Sequence, residues 1–108
     1  MWIFLNDAFL SVVEHFDDKN SLVVRARFPG DITSVFPKAK VSESPNNDYA
    51  YRTVLSKQEV ADVMAQRVLD INYTNFKGSV MNKKRHDLYF DVWETMYLAQ
   101  KRKKIARK

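Results

Sequence analysis

The chain contains no cysteine, only two glycines and only two histidines. Without cysteine it can form neither a disulfide framework nor a thiolate metal site, and it has no thiol nucleophile. The two glycines, Gly30 and Gly78, are too few for a glycine-rich phosphate-binding loop. The two histidines, His15 and His86, do not make a metal site by themselves. We therefore expect no cofactor, no bound metal and no catalytic motif of a familiar kind.

The chain also lacks a run of roughly 18 apolar residues, the length that a helix needs to cross a bilayer. Its apolar start carries no basic segment and is interrupted by Asp7, so we expect no signal peptide. Its 108 residues, 45% hydrophobic and 29% charged, have an ordinary globular composition and room for one core. These features predict a small soluble, cytoplasmic protein without a membrane role.

The strands are predicted from side chains that alternate along the chain. Residues 22–28 place small and apolar side chains on one side and two arginines on the other, which is typical of a half-buried strand. Residues 2–14 predict two short strands joined by a tight turn, and residues 49–55 predict a further strand. Residues 38–43 lie between prolines and predict an edge strand.

Two long helices are predicted after the strands. Ser56 and Glu59 form a capping box that begins the first of them. Three-four spacing of mostly apolar residues predicts an amphipathic helix with one inward stripe, made by Val60, Val63, Met64, Arg67, Val68 and Ile71. The second long helix is predicted over residues 83–100, and Asp31 is placed to cap a short helix over residues 32–36.

Together these elements predict an α+β fold, with a small antiparallel meander of three to five strands and two main helices packed on one face. Residues 1–100 are expected to form a single domain, followed by a basic C-terminal tail over residues 101–108. The strand order and the oligomeric state do not follow from the sequence.

The net charge of +5 is concentrated at the end of the chain. Residues 101–108 hold six of the eighteen cations, which leaves twelve cations against thirteen acids, or −1, in residues 1–100. The basic residues that could contact nucleic acid are Lys83, Lys84, Arg85, Lys101, Arg102, Lys103, Lys104, Arg107 and Lys108. Binding through such cations would be weak and independent of base sequence. Alternatively, these cations interact with the helix dipole and with solvent only.

A second set of candidates combines arginine with aromatic residues. Arg25 and Arg27 project from the same side of their strand, and Arg52 can add a third guanidinium from a neighbouring strand. The aromatic side chains of the last helix exceed what one packed stripe needs. Such residues often anchor protein recognition. The predicted binding residues are Arg25, Arg27, Arg52, Tyr89, Trp93 and Tyr97. The alternative is that the arginines pair with Glu14, Glu43 or Asp48 and that the aromatic residues are core.

The histidines offer two further hypotheses. Arg85, His86 and Asp87 begin the last helix, where His86 could act as a base in a small hydrolase. Consecutive helical residues diverge by about 100°, so the three side chains do not converge on one substrate atom unaided. His15 stands in an acidic hairpin that could hold a divalent ion, or that is an ordinary solvated loop. We assign neither catalytic nor metal residues from the sequence.

Four segments together span most of residues 1–98: MWIFLNDAFLS, RARFPGDITSVFP, YTNFKGSV and RHDLYFDVWETM. In these segments the chain resembles a family of small proteins of bacteria and their phages that has no assigned activity. The resemblance implies a prokaryotic, cytoplasmic protein encoded on a phage or prophage. The sequence and this resemblance together favour a non-catalytic module that binds a protein partner, such as a phage-type accessory factor or an inhibitor of a host factor or of a host defence. A nucleic-acid-associated protein is the alternative, and a small hydrolase is the third hypothesis.

Overall fold

The computed structural model describes residues 1–102. Within the chain, contacts divide it into two compact units, Met1–Asn72 and Tyr73–Lys108. The single domain expected over residues 1–100 stays a prediction. The elements of the first unit are strands β1 (Trp2–Leu5), β2 (Ala8–Glu14), β3 (Ser21–Ala26), β4 (Ser42–Glu43) and β5 (Tyr51–Ser56), with helices α1 (Asp31–Val35) and α2 (Lys57–Leu69). The second unit contains a 3₁₀ turn (Lys77–Ser79) and helix α3 (Lys83–Arg102).

The first unit is built on a five-stranded antiparallel sheet with the order β1-β2-β3-β5-β4. The first three strands form the predicted meander, β5 then pairs with β3, and the two-residue β4 forms an edge as expected. The α+β fold class is therefore confirmed, with five strands and two main helices. For α3, which lies in the second unit, packing on the sheet stays a prediction.

Strand alternation places the core on one face of the sheet. Leu10, Val24 and Ala26 are fully buried on that face, and α1 and α2 cover it. The helices contribute Ile32, from α1, and Val60, from α2, to the same core cluster. Burial of apolar area at about 25 cal/mol per Å² is the main stabilising contribution in a domain of this size. The predicted division into an apolar side and an arginine side is confirmed within β3, whereas Arg27 and Phe28, which the prediction also included, lie beyond the end of the strand.

Helix α1 differs from its prediction at its first turn. Gly30, at a φ of 86°, precedes the helix in the left-handed region that favours glycine. Asp31 does not cap the helix; instead its carboxylate Oδ2 accepts a hydrogen bond from the backbone N–H of Phe9 at 3.0 Å. The backbone N–H of Phe9 points toward β3, but β3 has already ended at this level of the sheet. The buried carboxylate of Asp31 therefore supplies the acceptor that a longer β3 would have supplied.

Helix α2 begins as predicted, because the Ser56 hydroxyl accepts from the backbone N–H of Glu59 at 3.0 Å. Its inward face is shorter than predicted. Val60 is buried, whereas Val68 and Ile71 are exposed. The guanidinium of Arg67 forms a two-point ion pair with Asp7 in the β1–β2 turn, at 2.9 and 3.0 Å. The core stripe therefore ends before this ion pair, which marks the limit of the sheet beneath α2.

The second unit is organised around Tyr89 of α3, which is buried and stacks on Phe76 with ring centroids 5.7 Å apart. Asn82 caps α3 by accepting from the backbone N–H of Arg85 at 3.0 Å. In the part of the chain that the structure describes, no helix is long and apolar enough to cross a membrane.

Candidate binding surface on the sheet

The candidate site lies on the face of the sheet opposite α1 and α2, which we call the arginine face. Its side chains are those of Trp2, Phe4, Phe9, Ser11, Val13, Val23, Arg25, Arg52 and Val54. The register aligns one residue from each strand into a row that crosses the sheet in the order Trp2, Ser11, Arg25, Arg52 and Ser42. Two arginines thus stand side by side at the centre of the sheet, as the sequence predicted for Arg25 and a neighbouring Arg52.

The backbone pairing brings the two arginine side chains close together. On the β4 side, the backbone N–H of Ser44 donates to the carbonyl of Ala50 at 2.7 Å. Because backbone groups alternate along a strand, those of Arg52 also point toward β4 and away from β3. Arg25 and Arg52 therefore form a non-hydrogen-bonded pair in the β3–β5 ladder, the type in which opposing Cα atoms are about 4.5 Å apart and side chains are closest. Like charges directly opposite one another are destabilising in a sheet.

Neither guanidinium of this pair has a carboxylate partner among the described residues. Arg25 donates from Nη2 to the hydroxyl of Ser11 at 2.7 Å, which is a neutral acceptor. The Nε atoms of Arg25 and Arg52 are both buried without a hydrogen-bond partner in the described chain. Buried polar groups are usually hydrogen-bonded, and each exception calls for a reason. The pair therefore combines an uncompensated positive charge with unused donor capacity.

Arg27 behaves differently from this pair. It forms an ion pair with Asp48 at 3.1 Å and donates to the backbone carbonyl of the same residue at 3.0 Å. The hydrogen bond to Asp48 raises the pKa of the Arg27 guanidinium above its ordinary value. Arg27 therefore follows the alternative interpretation, in which an arginine pairs with an acidic residue of the same chain.

Tyr49 links Arg27 to the central pair. It is buried, and the guanidinium carbons of Arg25 and Arg27 lie 4.5 and 4.2 Å from its ring centroid. Guanidinium groups over an aromatic ring are held by cation–π attraction. The ring thereby fixes the position of Arg25 without neutralising its charge.

Aromatic side chains adjoin the arginines on β1 and β2. Phe9 packs against Phe4 with centroids 4.6 Å apart and against Trp2 edge-to-face at 6.1 Å. Trp2, at the end of the central row, is 66% exposed. An exposed tryptophan on a sheet beside charged donors provides both contact area and directional hydrogen bonding.

The aromatic candidates of the last helix separate into two kinds. Tyr89 is buried in the core of the second unit, so it is a structural residue and not a surface one. Trp93 and Tyr97 are 43% and 40% exposed, and their rings stack at 5.2 Å with an interplanar angle of 4°. The expectation that at least one of the three is exposed is confirmed. Lys77 lies over Trp93 at 4.8 Å, so part of that ring already has a cationic contact.

The basic candidates of the second unit are mostly exposed. Lys83 forms an ion pair with Asp87 at 3.0 Å, and this hydrogen bond lowers the pKa of Asp87. Arg85 donates to the Tyr89 hydroxyl at 3.4 Å, and Lys101 lies 5.8 Å from the Tyr97 ring. Lys84 and Arg102 also lie on α3. The remaining candidates, Lys103, Lys104, Arg107 and Lys108, lie outside the described residues.

The two histidines have local contacts. His15 Nδ1 accepts from the backbone N–H groups of Asp17 and Asp18 at 3.2 and 3.0 Å, which closes the β2–β3 hairpin. His86 Nδ1 lies 3.4 Å from an Asp87 carboxylate oxygen on the surface of α3. Within residues 1–102, no group of three or more histidine and acidic side chains has the geometry of a metal site.

Sequence reasoning missed several residues on or beside the arginine face, among them Ser11, Tyr49 and Trp2. Ser11 and Tyr49 contact Arg25 only because of the cross-strand register and the path of the loop before β5. Trp2 alternates with Ile3, and since both are apolar the alternation does not reveal which side faces the core. Once the strand register is known, alternate residues can be assigned to the two faces of the sheet, starting from the arginines of β3. This assignment places Trp2 on the arginine face.

Comparison with protein-family models finds no match to this chain, and comparisons with curated proteins and with solved structures find no significant similarity.

Proposed function

We propose that this chain is a non-catalytic binding module that acts through a protein partner, and that the arginine face is its working surface. The observation that carries the proposal is the Arg25–Arg52 pair, in which two arginines at directly opposed strand positions have no internal carboxylate among the described residues. A partner that supplies an acceptor would remove the repulsion and satisfy the donors, so the unbound surface is electrostatically incomplete.

The surroundings of the pair support a protein partner. Arginine and tryptophan are enriched among the residues that dominate binding energy at interfaces, and Trp2 is the most exposed aromatic side chain of the arginine face. The apolar side chains of Val13 and Val54 are also exposed on this face. Arginine and aromatic side chains are enriched at protein interfaces, unlike lysine and the acidic residues.

The charge of the first unit also argues against a polyanionic ligand there. Residues 1–72 hold eight cations and ten acids, a net charge of −2. Long-range attraction to a phosphate backbone needs a positive field, which this unit does not supply. Two free guanidiniums within a negative unit suit a single anionic group presented by a folded partner.

The proposal is tested by recovering partners from a lysate of the native host. The full chain should retain a nuclease-resistant partner that the double variant Arg25→Ala, Arg52→Ala loses. The matched control Lys38→Ala, Lys40→Ala removes the same charge from exposed positions of the same unit. If the two double variants recover the partner equally well, the arginine face is not the working surface.

We place the module, on the resemblance of its sequence, in the cytoplasm of a prokaryotic cell as a phage-type accessory factor or as an inhibitor of a host factor or host defence. The measurement that tests this is the identity of the nuclease-resistant partner. A partner from the host's own replication, transcription or defence machinery supports it, and a secreted or membrane-embedded partner contradicts it.

A second candidate function, association with nucleic acid, is favoured by the charge of the other unit. Residues 73–108 hold the remaining ten cations and three acids, a net charge of +7. If about six tail cations neutralise phosphates, the logarithm of the binding constant should fall with the logarithm of salt with a slope of about −5. Truncation after residue 100 should abolish duplex binding at low salt, and unchanged binding would contradict this use of the tail.

A further inference from the structure

We propose that the Arg25–Arg52 pair is the receptor for one carboxylate, the side chain of a glutamate or aspartate on the partner. This inference rests on the proposed function and names the group that the arginine face recognises. It assigns the two arginines a joint role, in which both guanidiniums donate to the same anion.

The inference begins with the pairing of the other arginines in the first unit. Arg27 is paired with Asp48, and Arg67 is paired with Asp7. Of the four arginines in residues 1–72, only the two on the paired positions of β3 and β5 lack a carboxylate in the described chain. These two arginines are direct neighbours across the β3–β5 ladder, so they suit a single anion, whereas a chain of phosphates needs a longer row of cations.

The geometry of the pair then favours a planar anion. A guanidinium presents its donors in one plane, and a carboxylate matches that fork with two oxygens about as far apart as two N–H groups. Because the arginines are opposed in a non-hydrogen-bonded pair, a carboxylate between them can accept from both. A hydrogen bond to Ser11 on β2 and a cation–π contact with the Tyr49 ring hold Arg25, so this guanidinium is positioned before binding.

The buried Nε–H groups of the two arginines lack acceptors in the described chain, and this favours a response to a bound anion. Each Nε–H lacks an acceptor in the described chain, so a small rotation of either guanidinium toward a bound oxygen gains a hydrogen bond without breaking an ion pair. The existing bond of Arg25 goes to the neutral hydroxyl of Ser11, which is weaker than one to a charged oxygen. A bound carboxylate therefore offers Arg25 a stronger acceptor than the Ser11 hydroxyl.

The test uses the full chain labelled with ¹⁵N and follows the arginine Nε–H signals, which are assigned from the single variants Arg25→Gln and Arg52→Gln. Three capped tripeptides are added separately: Ala-Glu-Ala, Ala-Gln-Ala and Ala-phosphoserine-Ala. We expect the glutamate peptide to shift the Nε–H signals of Arg25 and Arg52 together, with an affinity at least about tenfold above that of the glutamine peptide. The Nε–H signal of Arg27, which has its own partner, should move less.

Variants distinguish recognition of the carboxylate by two planar guanidiniums from simple attraction by two positive charges. Arg25→Lys with Arg52→Lys keeps both charges but removes the planar forks, and it should lose most of the preference for glutamate. Lys38→Gln with Lys40→Gln removes two charges elsewhere in the unit and should keep it. Each single glutamine variant should also lose the preference, which covers the case in which a double variant does not fold.

Three results would overturn the inference: no Nε–H response up to about 10 mM of the glutamate peptide, a response of only one of the two arginines, or a response to the phosphoserine peptide alone. Because the titration needs no native partner, its failure is distinct from the failure of partner recovery. If the titration shows a carboxylate site but no partner is recovered from the lysate, the inference stands and the proposed function is rejected.

Discussion

The most discriminating stability prediction compares the same substitution at two positions of α2 (Lys57–Leu69). Val60 is 3% exposed and belongs to the core cluster, whereas Val68 is 65% exposed. Val→Ala removes two methyl groups, each worth about 0.8 kcal/mol when buried, and leaves a cavity that adds to the cost. We expect Val60→Ala to lower the free energy of unfolding by about 1.5–3 kcal/mol, and Val68→Ala to leave it unchanged or to raise it by up to about 0.7 kcal/mol.

The assay is chemical denaturation followed by circular dichroism at fixed pH and salt. Alanine favours helix over valine by up to about 0.7 kcal/mol at either position, so this contribution cancels in the comparison. The midpoint of Val60→Ala should therefore fall clearly below that of Val68→Ala, with equal slopes for both variants. Equal midpoints would refute the placement of the inward face of α2 at its N-terminal half and would restore the longer stripe that the sequence predicted.

Two further predictions concern carboxylates of the first unit. Hydrogen bonds from the Ser21 hydroxyl and the Asn20 backbone lower the pKa of Asp18 below its ordinary 3.8. Its contribution to stability is therefore complete above pH 3.8 and is lost as the pH falls through the lower folded value, so Asp18→Asn should flatten the acid limb of stability against pH, while Asp17→Asn should not. Unfolding midpoints between about pH 5 and pH 2 check this, and parallel acid limbs for the wild type and Asp18→Asn would contradict it. Asp31→Ala should cost about 1–3 kcal/mol in chemical denaturation, since it removes the buried acceptor of the Phe9 N–H, and a cost near zero would show that another group or water replaces the carboxylate.

The features of the fold that depend on local sequence patterns could be predicted. Period-two alternation located β3 (Ser21–Ala26) and β5 (Tyr51–Ser56), and the capping box located the first residue of α2. The strand order did not follow, because the pairing of β3 with β5 joins segments separated by a helix and a loop. The length of the inward stripe on α2 was wrong because periodicity continues along a helix even where no sheet lies beneath it.

The candidate site was predictable in part. The alternation of β3 placed Arg25 on a non-core face, and proximity to Arg52 was anticipated from chemistry alone. Their direct opposition depends on the register, and register is a tertiary property that a sequence of this kind does not specify. The internal partner of Arg27 is a loop residue, Asp48, so its pairing depends on the path of residues 44–50 and not on a periodic pattern.

The measurement that tests the central claim most directly is a map of the bound surface. Backbone amide spectra of the full ¹⁵N-labelled chain are compared with and without the nuclease-resistant partner. The account predicts that the largest changes follow the row across the sheet, from Trp2 through Arg25 and Arg52 to Ser42. Changes confined to α1 (Asp31–Val35) and α2, or to residues 83–102 alone, would contradict it.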